Sequence, residues 1–233
     1  MKNKIFTIAV NVALCAIIAC VSLVGFIGGN AEQVTANSEE LFYRSDTPKG
    51  VSMMFNVYEH TENVQAILDI LDEYGAKATF FLGGCWADDN IDIVRDIAKR
   101  GHEVGSHGYF HKDHSKMSYE QNLSEITPSV KLLNAMLGFD IKLFAPPSGA
   151  FNHQTINAAT SLGLKTVMWS RDTIDWRDQD ESVIISRATK NLENGEFILM
   201  HPTNATVKAL DDIVKYIGQS GYEAVTVSYN IGE

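Results

Sequence analysis

Cysteine is scarce in this sequence, with only three among 233 residues. Cys15 and Cys20 lie inside a long apolar run near the N-terminus, which leaves Cys85 without a partner in the rest of the chain. An intrachain disulfide is therefore excluded from the polar part of the protein. Packing must stabilise the fold, and a hydrophobic fraction of 45% at this length is enough for one good core.

Clusters of basic residues are also missing. The 19 Lys and Arg residues are scattered among 29 Asp and Glu residues, and the formal net charge is −10. Binding to nucleic acid or to anionic lipid depends on grouped positive charge. We therefore expect neither of them as a partner.

Three common functional signatures do not occur. The sequence has no nucleotide-binding glycine fingerprint, no phosphate-binding loop and no nucleophile elbow. The first absence argues against an open dinucleotide-binding sheet. The other two give little support to an unrelated ester or phosphoester hydrolase on a β/α barrel. No sequence repeat or low-complexity stretch stands out.

One long apolar run is present, from Ile5 to Gly29, and it is long enough to cross a bilayer as a helix. Lys2 and Lys4 precede it and acidic residues follow it. By the positive-inside rule, the N-terminus lies in the cytoplasm and the rest of the chain outside. We interpret residues 1–29 as a signal anchor.

Two other interpretations of this segment compete with the anchor. A cleaved signal peptide would show a shorter apolar core and a cleavage site with small residues near its end. Lipid attachment at Cys20 is suggested by Ile17-Ile18-Ala19-Cys20, which resembles a bacterial lipobox, although the apolar run continues beyond it.

The remainder predicts a polar linker over residues 30–49 and a domain over residues 50–233. In the domain, short apolar runs alternate with amphipathic segments of helical spacing, and glycines stand at the helix ends. Strands separated by such helices pair in parallel through right-handed crossovers. We predict an α/β fold, a distorted (β/α)7 barrel. Its predicted strands are Val51–Phe55, Ala78–Leu82, Glu103–Ser106, Lys142–Phe144, Thr166–Trp169, Phe197–Met200 and Ala224–Val227.

Polar residues follow the carboxyl ends of these strands, where functional groups of β/α barrels collect on one face. His107 and His111 have a spacing that can bind one metal ion, and neutral imidazole is a common zinc ligand. Taken alone, such a pair is more often a half-buried strand-end histidine followed by a solvated loop histidine. The strand-end residues are Asn56, His107, His111, Pro147, Asp172, Asp175 and His201.

Several blocks resemble the polysaccharide deacetylase family, whose members carry a NodB-homology domain and form carbohydrate esterase family 4. The resemblance covers Gly50 to about Ser228. Gly101 to His111, reading GHEVGSHGYFH, is similar to the second motif of the family. The other similar blocks are Ala76 to Phe81, a family strand; Phe144 to Asn152, the third motif; Asp172 to Trp176, the fourth; and Leu199 to His201, the fifth.

This resemblance implies a metal-dependent hydrolase that removes N-acetyl, or sometimes O-acetyl, groups from chitin-like polymers or peptidoglycan. In the family, a metal held by one aspartate and two histidines polarises the acetyl carbonyl and activates water, while an aspartate acts as base. His107 and His111 would be the histidine ligands of zinc or another divalent metal. His201 would be the general acid, oriented by Asp175 or Asp172. The alternative for His201 is a buried histidine bonded to one of these carboxylates for structural reasons.

The chain departs from the family at the decisive positions. The first family motif reads Thr-Phe-Asp-Asp-Gly, whereas this chain has Asn56 and Val57 in place of the two aspartates. Asn56 cannot accept a proton near neutral pH, and Val57 has no donor atom for a metal. Ala145 replaces the arginine that pairs with the base aspartate. The base aspartate and its arginine partner are lost together, which is expected because a buried arginine without an anionic partner is energetically costly.

The resemblance also implies an acetyl pocket lined by Pro147, Ser148, Trp176 and Leu199, although a tryptophan at a strand end is more often part of the core. Ser148 stands where the family has a tyrosine. Substitutes for the lost groups are conceivable nearby, and the candidates are Glu59, His60, Asp113 and His114.

Two functions follow from these observations. One is a membrane-anchored hydrolase of N-acetylated wall or extracellular polysaccharide with a rearranged metal site. The other is a pseudoenzyme that binds a glycan or a wall protein, with or without metal at the partial two-histidine site. In both cases we expect a single-pass protein of the cell membrane. Its domain would lie outside the cytoplasm, at the bacterial cell surface. Peptidoglycan or another N-acetylated polysaccharide is the expected partner.

Overall fold

The computed structural model describes residues 41–233. The predicted anchor, residues 1–29, and the first part of the predicted linker lie outside this range. Within it, no helix is long and apolar enough to span a membrane. The strands are β1 (Leu41–Phe42), β2 (Ser52–Val57), β3 (Ala78–Leu82), β4 (Glu103–Ser106), β5 (Leu143–Phe144), β6 (Lys165–Val167), β7 (Arg171–Asp172) and β8 (Phe197–Met200).

All eight strands pair in parallel in one curled sheet of order β1-β6-β5-β4-β3-β2-β8-β7. Helices fill most of the connections, as parallel pairing requires. This confirms the predicted α/β class with parallel strands. The predicted (β/α)7 barrel is wrong in strand number, because the described residues form a curled sheet of eight strands whose end strands β1 and β7 do not pair. The helices are α1 (Thr61–Glu73), α2 (Gly84–Asp89), α3 (Ile91–Lys99), α4 (Tyr119–Leu137), α5 (His153–Ser161), α6 (Glu181–Thr189), α7 (Asn204–Gln219) and α8 (Val227–Ile231).

The centre of the sheet is buried on both faces, as expected for parallel strands covered by helices. Every residue of β2 and β3 is buried. Because side chains alternate along a strand, Phe55 and Val57 join one hydrophobic cluster and Met54 joins a second one. Phe55 stacks on Phe80 with 5.0 Å between ring centroids. The alternation also sets the direction of Asn56, which shares the face of Met54.

One of the seven predicted strands is absent and another is shifted. The predicted strand Thr166–Trp169 corresponds to β6, Lys165–Val167, after which the chain bends and forms β7 against β8. Ala224 makes only an isolated parallel bridge with Val51. The chain then enters α8, because the Thr226 side chain accepts a hydrogen bond from the Tyr229 N–H and caps the helix.

The folded domain also includes residues that the sequence analysis assigned to the linker. β1 pairs with β6, and the backbone N–H of Ser45 donates to the Gly195 carbonyl at 2.8 Å. Arg44 forms an antiparallel bridge with Glu196 just before β8. The segment from residue 41 onward is therefore held by backbone pairing on the sheet.

Candidate functional site

A cleft of about 520 Å³ lies beyond the carboxyl ends of the strands. It receives side chains from the ends of β2, β4, β5, β6, β7 and β8 and the segments that follow them, which is where parallel sheets place their functional groups. The lining residues are Asn56, Tyr58, Glu59, His60, His107, His111, Ser148, Trp169, Asp172, Trp176, Gln179, Leu199, His201, Pro202 and Thr203.

His107 lies at the floor of the cleft and is 1% exposed. Its Nδ1 lies 2.8 Å from the carbonyl oxygen of Ala145. A carbonyl only accepts, so Nδ1 carries the proton and Nε2 keeps its lone pair. Burial, reinforced by nearby His111, lowers the pKa of His107 to about 3. The ring is therefore neutral over the physiological pH range.

The loop after β4 brings His111 beside His107, with 5.1 Å between ring centroids. The other side of His111 faces Tyr58, whose ring centroid lies 4.6 Å away. Burial lowers the pKa of His111 as well. The buried carboxylate of Glu125 on α4 accepts the Phe110 N–H and so holds this loop. The two predicted metal ligands are thus neighbours in space.

The third ligand of a metal site is missing. Val57 is fully buried in the hydrophobic cluster between the sheet and the helices and does not line the cleft. Within residues 41–233, no three His, Cys, Asp or Glu side chains are grouped so that they could hold a metal ion. Known zinc sites in proteins use three or four protein ligands. The residues present therefore do not form the metal site of the family.

The proposed substitutes do not repair this loss. Glu59 and His60 line the cleft but do not complete a ligand set. Asp113 caps a short 3-10 helix through the Ser115 N–H. His114 is fully buried, with Nδ1 2.6 Å from the Asn122 side-chain oxygen.

Asn56 occupies the position of the family base. It is 4% exposed, and its Oδ1 has no hydrogen-bond partner in the part of the chain that the structure describes. Buried polar atoms normally have partners, so an unpartnered one at a cleft indicates a place where a ligand or water donates. Ala145 is fully buried and adds no charge to this floor.

His201 and Asp175 form the best-defined polar pair of the cleft. The Asp175 carboxylate lies 2.8 Å from His201 Nδ1 and accepts the His201 backbone N–H at 2.6 Å. It also accepts the hydroxyl of Thr206, on the first turn of α7. Asp175 is fully buried, whereas the His201 side chain is 26% exposed. Of the two carboxylates predicted as partners of His201, Asp175 and not Asp172 is bonded to it.

Asp172 plays a different part. Its Oδ1 accepts the Ile174 N–H at 2.8 Å, and the side chain lines the cleft without bonding to His201. The sequence offered no signal for Thr206, which approaches Asp175 only through the packing of α7.

Three of the four predicted pocket residues line the cleft. Ser148, Trp176 and Leu199 line the cleft, but Pro147 does not; it is buried behind the wall, beside Gly108. Trp176 is 59% exposed, so it is a rim residue and not part of the core. Five further lining residues were not predicted from the sequence: Tyr58, Trp169, Gln179, Pro202 and Thr203. Tyr58 could have been inferred, because it directly follows the first strand-end pair.

Backbone strain gathers around the cleft. Positive φ angles occur at His60, His111 and Ser148, which line it, and at Ile174, between Asp172 and Asp175. Such a conformation costs on the order of 1–3 kcal/mol and is a genuine outlier for a β-branched residue such as Ile174. Strain of this kind is typical of functional sites, which favours a binding role for the cleft.

Comparison with known proteins identifies the family. The model of the polysaccharide deacetylase family matches residues 43–167, more than half of the chain. This chain belongs to the polysaccharide deacetylase family. The match includes β2 to β6 and the loop that carries His107 and His111, and it therefore covers the altered positions Asn56 and Val57.

Curated relatives include both uncharacterized proteins and deacetylases. YlxY of Bacillus subtilis (strain 168), an uncharacterized protein, is 37% identical over 190 residues, 81% of this chain and 60% of the relative. A peptidoglycan-N-acetylglucosamine deacetylase of Bacillus cereus is 33% identical over 168 residues, 70% of this chain and 78% of the relative. PgdA of Listeria monocytogenes is 29% identical and matched over 40% of its length. The chain thus spans less than two thirds of YlxY and PgdA.

Similar solved structures include a family member described as a pseudoenzyme. The CE4 family pseudoenzyme from Bacillus anthracis has a TM-score of 0.81 and 31% identity, over 84% of this chain and 70% of that one. A mutant of it is described as having restored enzymatic activity, with the same TM-score. The peptidoglycan N-acetylglucosamine deacetylase Bc1960 has a TM-score of 0.78 and 29% identity, over 82% of this chain and 92% of that one.

Proposed function

We propose that this protein binds amino-sugar polymers of the bacterial cell wall, of the peptidoglycan type, without hydrolysing their acetyl groups. The observation that carries the proposal is the replacement of both carboxylates of the first motif. Asn56 stands at the position of the base, and Val57 belongs to the hydrophobic core. Base and third metal ligand are lost together.

The groups that remain do not replace these functions. General base catalysis is most efficient when the pKa of the base lies near the working pH. Burial lowers the pKa of His107 to about 3, so this imidazole is a poor base for a water molecule. The Asn56 amide has no basic lone pair at all near neutral pH. Attack of water on an amide carbonyl therefore lacks both activation and charge stabilisation.

The binding features of the cleft remain. Tyr58, Trp169 and Trp176 present aromatic surface to a cleft large enough for a sugar ring. The relatives named as deacetylases act on peptidoglycan according to their names, which supports the class of ligand. The similarity to a protein described as a pseudoenzyme supports binding without turnover.

Hydrolysis by a rearranged site is the second candidate, and the Asp175–His201 pair favours it. This pair retains the orientation expected of a general acid, with Nδ1 held by a buried carboxylate. Hydrolysis would also require a base or a metal ion to activate water, and the residues that line the cleft supply no group for this in their present arrangement.

We also propose, from the sequence, that residues 1–29 anchor the protein in the cell membrane and that the domain lies outside the cytoplasm. Peptidoglycan would then be within reach of the cleft. A fractionation experiment tests this proposal: the protein is expected in the membrane fraction and in a form accessible to external protease on intact cells.

The test of function uses the full chain with purified peptidoglycan and with N-acetylated chito-oligosaccharides. We expect retention on peptidoglycan and no release of acetate above background, with or without added zinc. Retention is expected to survive the His201→Ala substitution. Acetate release that depends on His201 would favour the second candidate, and absence of retention on any wall fraction would refute binding.

A further inference from the structure

The charge of the cleft is one-sided. No Lys or Arg lines it, whereas the carboxylates of Glu59 and Asp172 do. Asp175 adds a third carboxylate directly behind His201. Three cations, Lys112, Arg171 and Arg177, are chain neighbours of lining residues, and each faces a carboxylate elsewhere. Their respective partners are Glu125, Glu196 and Asp178. The cleft therefore favours a ligand with positive charge.

The hydrogen-bonding groups on the floor point to the same ligand. His107 binds the Ala145 carbonyl through Nδ1–H, which leaves only the lone pair of Nε2 for a ligand. His201 is held through Nδ1 by Asp175, so Nε2 is the ring nitrogen that remains for a ligand. Asn56 is 4% exposed, and its Oδ1 accepts no hydrogen bond from the described part of the chain. Two acceptors of this floor, His107 Nε2 and Asn56 Oδ1, thus face the cleft without a donor in the described part of the chain.

An acetamido group is a poor complement to such a floor. It offers one N–H donor, carries no charge, and brings a carbonyl oxygen that needs a donor. A free ammonium group on a sugar offers three donors, no acceptor and a positive charge. It also gains from the aromatic faces of Tyr58, Trp169 and Trp176, since cations are attracted to aromatic rings.

We infer that the cleft selects deacetylated amino-sugar units, with a free ammonium group, over N-acetylated ones. This inference rests on the proposed function and names the units within the polymer that are bound. It places the protein after a deacetylation reaction, which must supply its ligand. The protein would then recognise the product of the reaction that catalytic members of the family perform.

The experiment compares two oligosaccharides of equal length, a glucosamine tetramer and its fully N-acetylated form. The full chain is titrated with each at pH 7 and constant ionic strength, and affinity is measured by calorimetry. We expect the free-amine tetramer to bind at least about tenfold more tightly, the scale of one charge-assisted hydrogen bond. Asp172→Asn should remove most of this preference, because it takes away one of the two carboxylates that line the cleft.

This substitution is a fair test because Asn retains an oxygen that can accept the Ile174 N–H, so the loop after β7 keeps its hydrogen bond. Glu59→Gln provides a second variant, on the segment that follows β2. Asp92→Asn, at an exposed position on α3, is the matched control and should keep the full preference.

Each outcome decides something. Equal affinity for the two tetramers, or tighter binding of the acetylated one, overturns the inference and leaves the proposed function intact. A preference that Asp172→Asn and Glu59→Gln leave unchanged also overturns it, since the carboxylates would then play no part. Absence of binding to both tetramers and to peptidoglycan refutes the proposed function itself.

Discussion

One carboxylate oxygen of Asp175 accepts the backbone N–H of His201, while the other lies 2.8 Å from Nδ1 of the same residue. The histidine is therefore fixed at both its backbone and its ring by a single buried side chain. Thr206 donates a further hydrogen bond from α7. Asp175 thus joins the loops after β7 and β8 to the start of α7 and sets the wall of the cleft.

Replacing Asp175 by Asn should destabilise the domain. The amide N–H₂ of Asn is itself a donor, and it would face at least one of the groups that now donate a hydrogen bond to the carboxylate. We expect a loss of about 3 kcal/mol in the free energy of unfolding, the scale of one or two buried unsatisfied groups. Urea unfolding of the variant checks this, with Asp92→Asn as an exposed control. An effect no larger than that of the control would show that the carboxylate does not hold this wall.

The partial metal site should not bind zinc stoichiometrically. His107 and His111 offer two imidazole nitrogens, and the described residues contain no third ligand beside them. After dialysis against micromolar zinc and removal of free metal, we expect well under one zinc per chain by elemental analysis. One zinc per chain that disappears in the double variant His107→Ala/His111→Ala would contradict the geometry and favour hydrolysis by a rearranged site.

Trp176 should contribute to glycan binding without contributing to stability. It is 59% exposed at the rim of the cleft, so truncation removes little buried area. We expect Trp176→Ala to weaken binding to peptidoglycan fragments about tenfold, the scale of one aromatic contact. Phe139, similarly exposed but outside the cleft, provides the control Phe139→Ala. Equal binding by both variants would remove Trp176 from the binding surface.

Stability should fall in acid because of His102. This residue is 5% exposed, its Nδ1 accepts the Ala78 N–H at 3.3 Å, and burial lowers its pKa from 6.5 to about 4. At pH values between 4 and 6.5, His102 is therefore protonated in the unfolded chain and neutral in the folded chain. The contribution of neutral His102 is therefore complete above about pH 6.5 and is lost as the pH falls towards 4.

The variant His102→Asn keeps an acceptor near the Ala78 N–H and removes the titration. We expect its unfolding free energy to depend less on pH between 6.5 and 4, by up to about 1.4 kcal/mol per pH unit. The measurement is urea unfolding at several pH values, and His153→Asn, at an exposed position, serves as the control. Parallel pH profiles for the wild type and His102→Asn would assign the acid sensitivity to other groups.

Much of the fold could be predicted because local signals agreed with it. β3, β4 and β8 have the predicted bounds, since each is a short apolar or mixed run between helical segments. The segment at Ala224 was misjudged because its apolar, β-rich pattern is the same for a strand and for a short connection into a helix. The hydroxyl of Thr226, which caps α8, decided the outcome. Such capping depends on where the chain is held by neighbouring elements.

The site was predictable only as far as motifs define it. The residues after β4, β7 and β8 converge as the resemblance implies, because parallel strands end at one edge of a sheet. The choice between Asp172 and Asp175 was not predictable, since both lie within reach of His201 along the chain. Only the bend after β7, with the strained Ile174 at its centre, turns one carboxylate towards His201 and the other towards the cleft.

The sequence by itself determined the lineage, the α/β class and the loss of the two motif carboxylates, because these depend on residue identity and order. Tertiary structure alone decided that Val57 packs in the core, that Asn56 is left with an unpartnered oxygen, and that no third ligand reaches His107 and His111. It also decided that the cleft contains acceptors and carboxylates without a lysine or arginine. These properties depend on which side chains from distant segments face one another, and local sequence does not specify that.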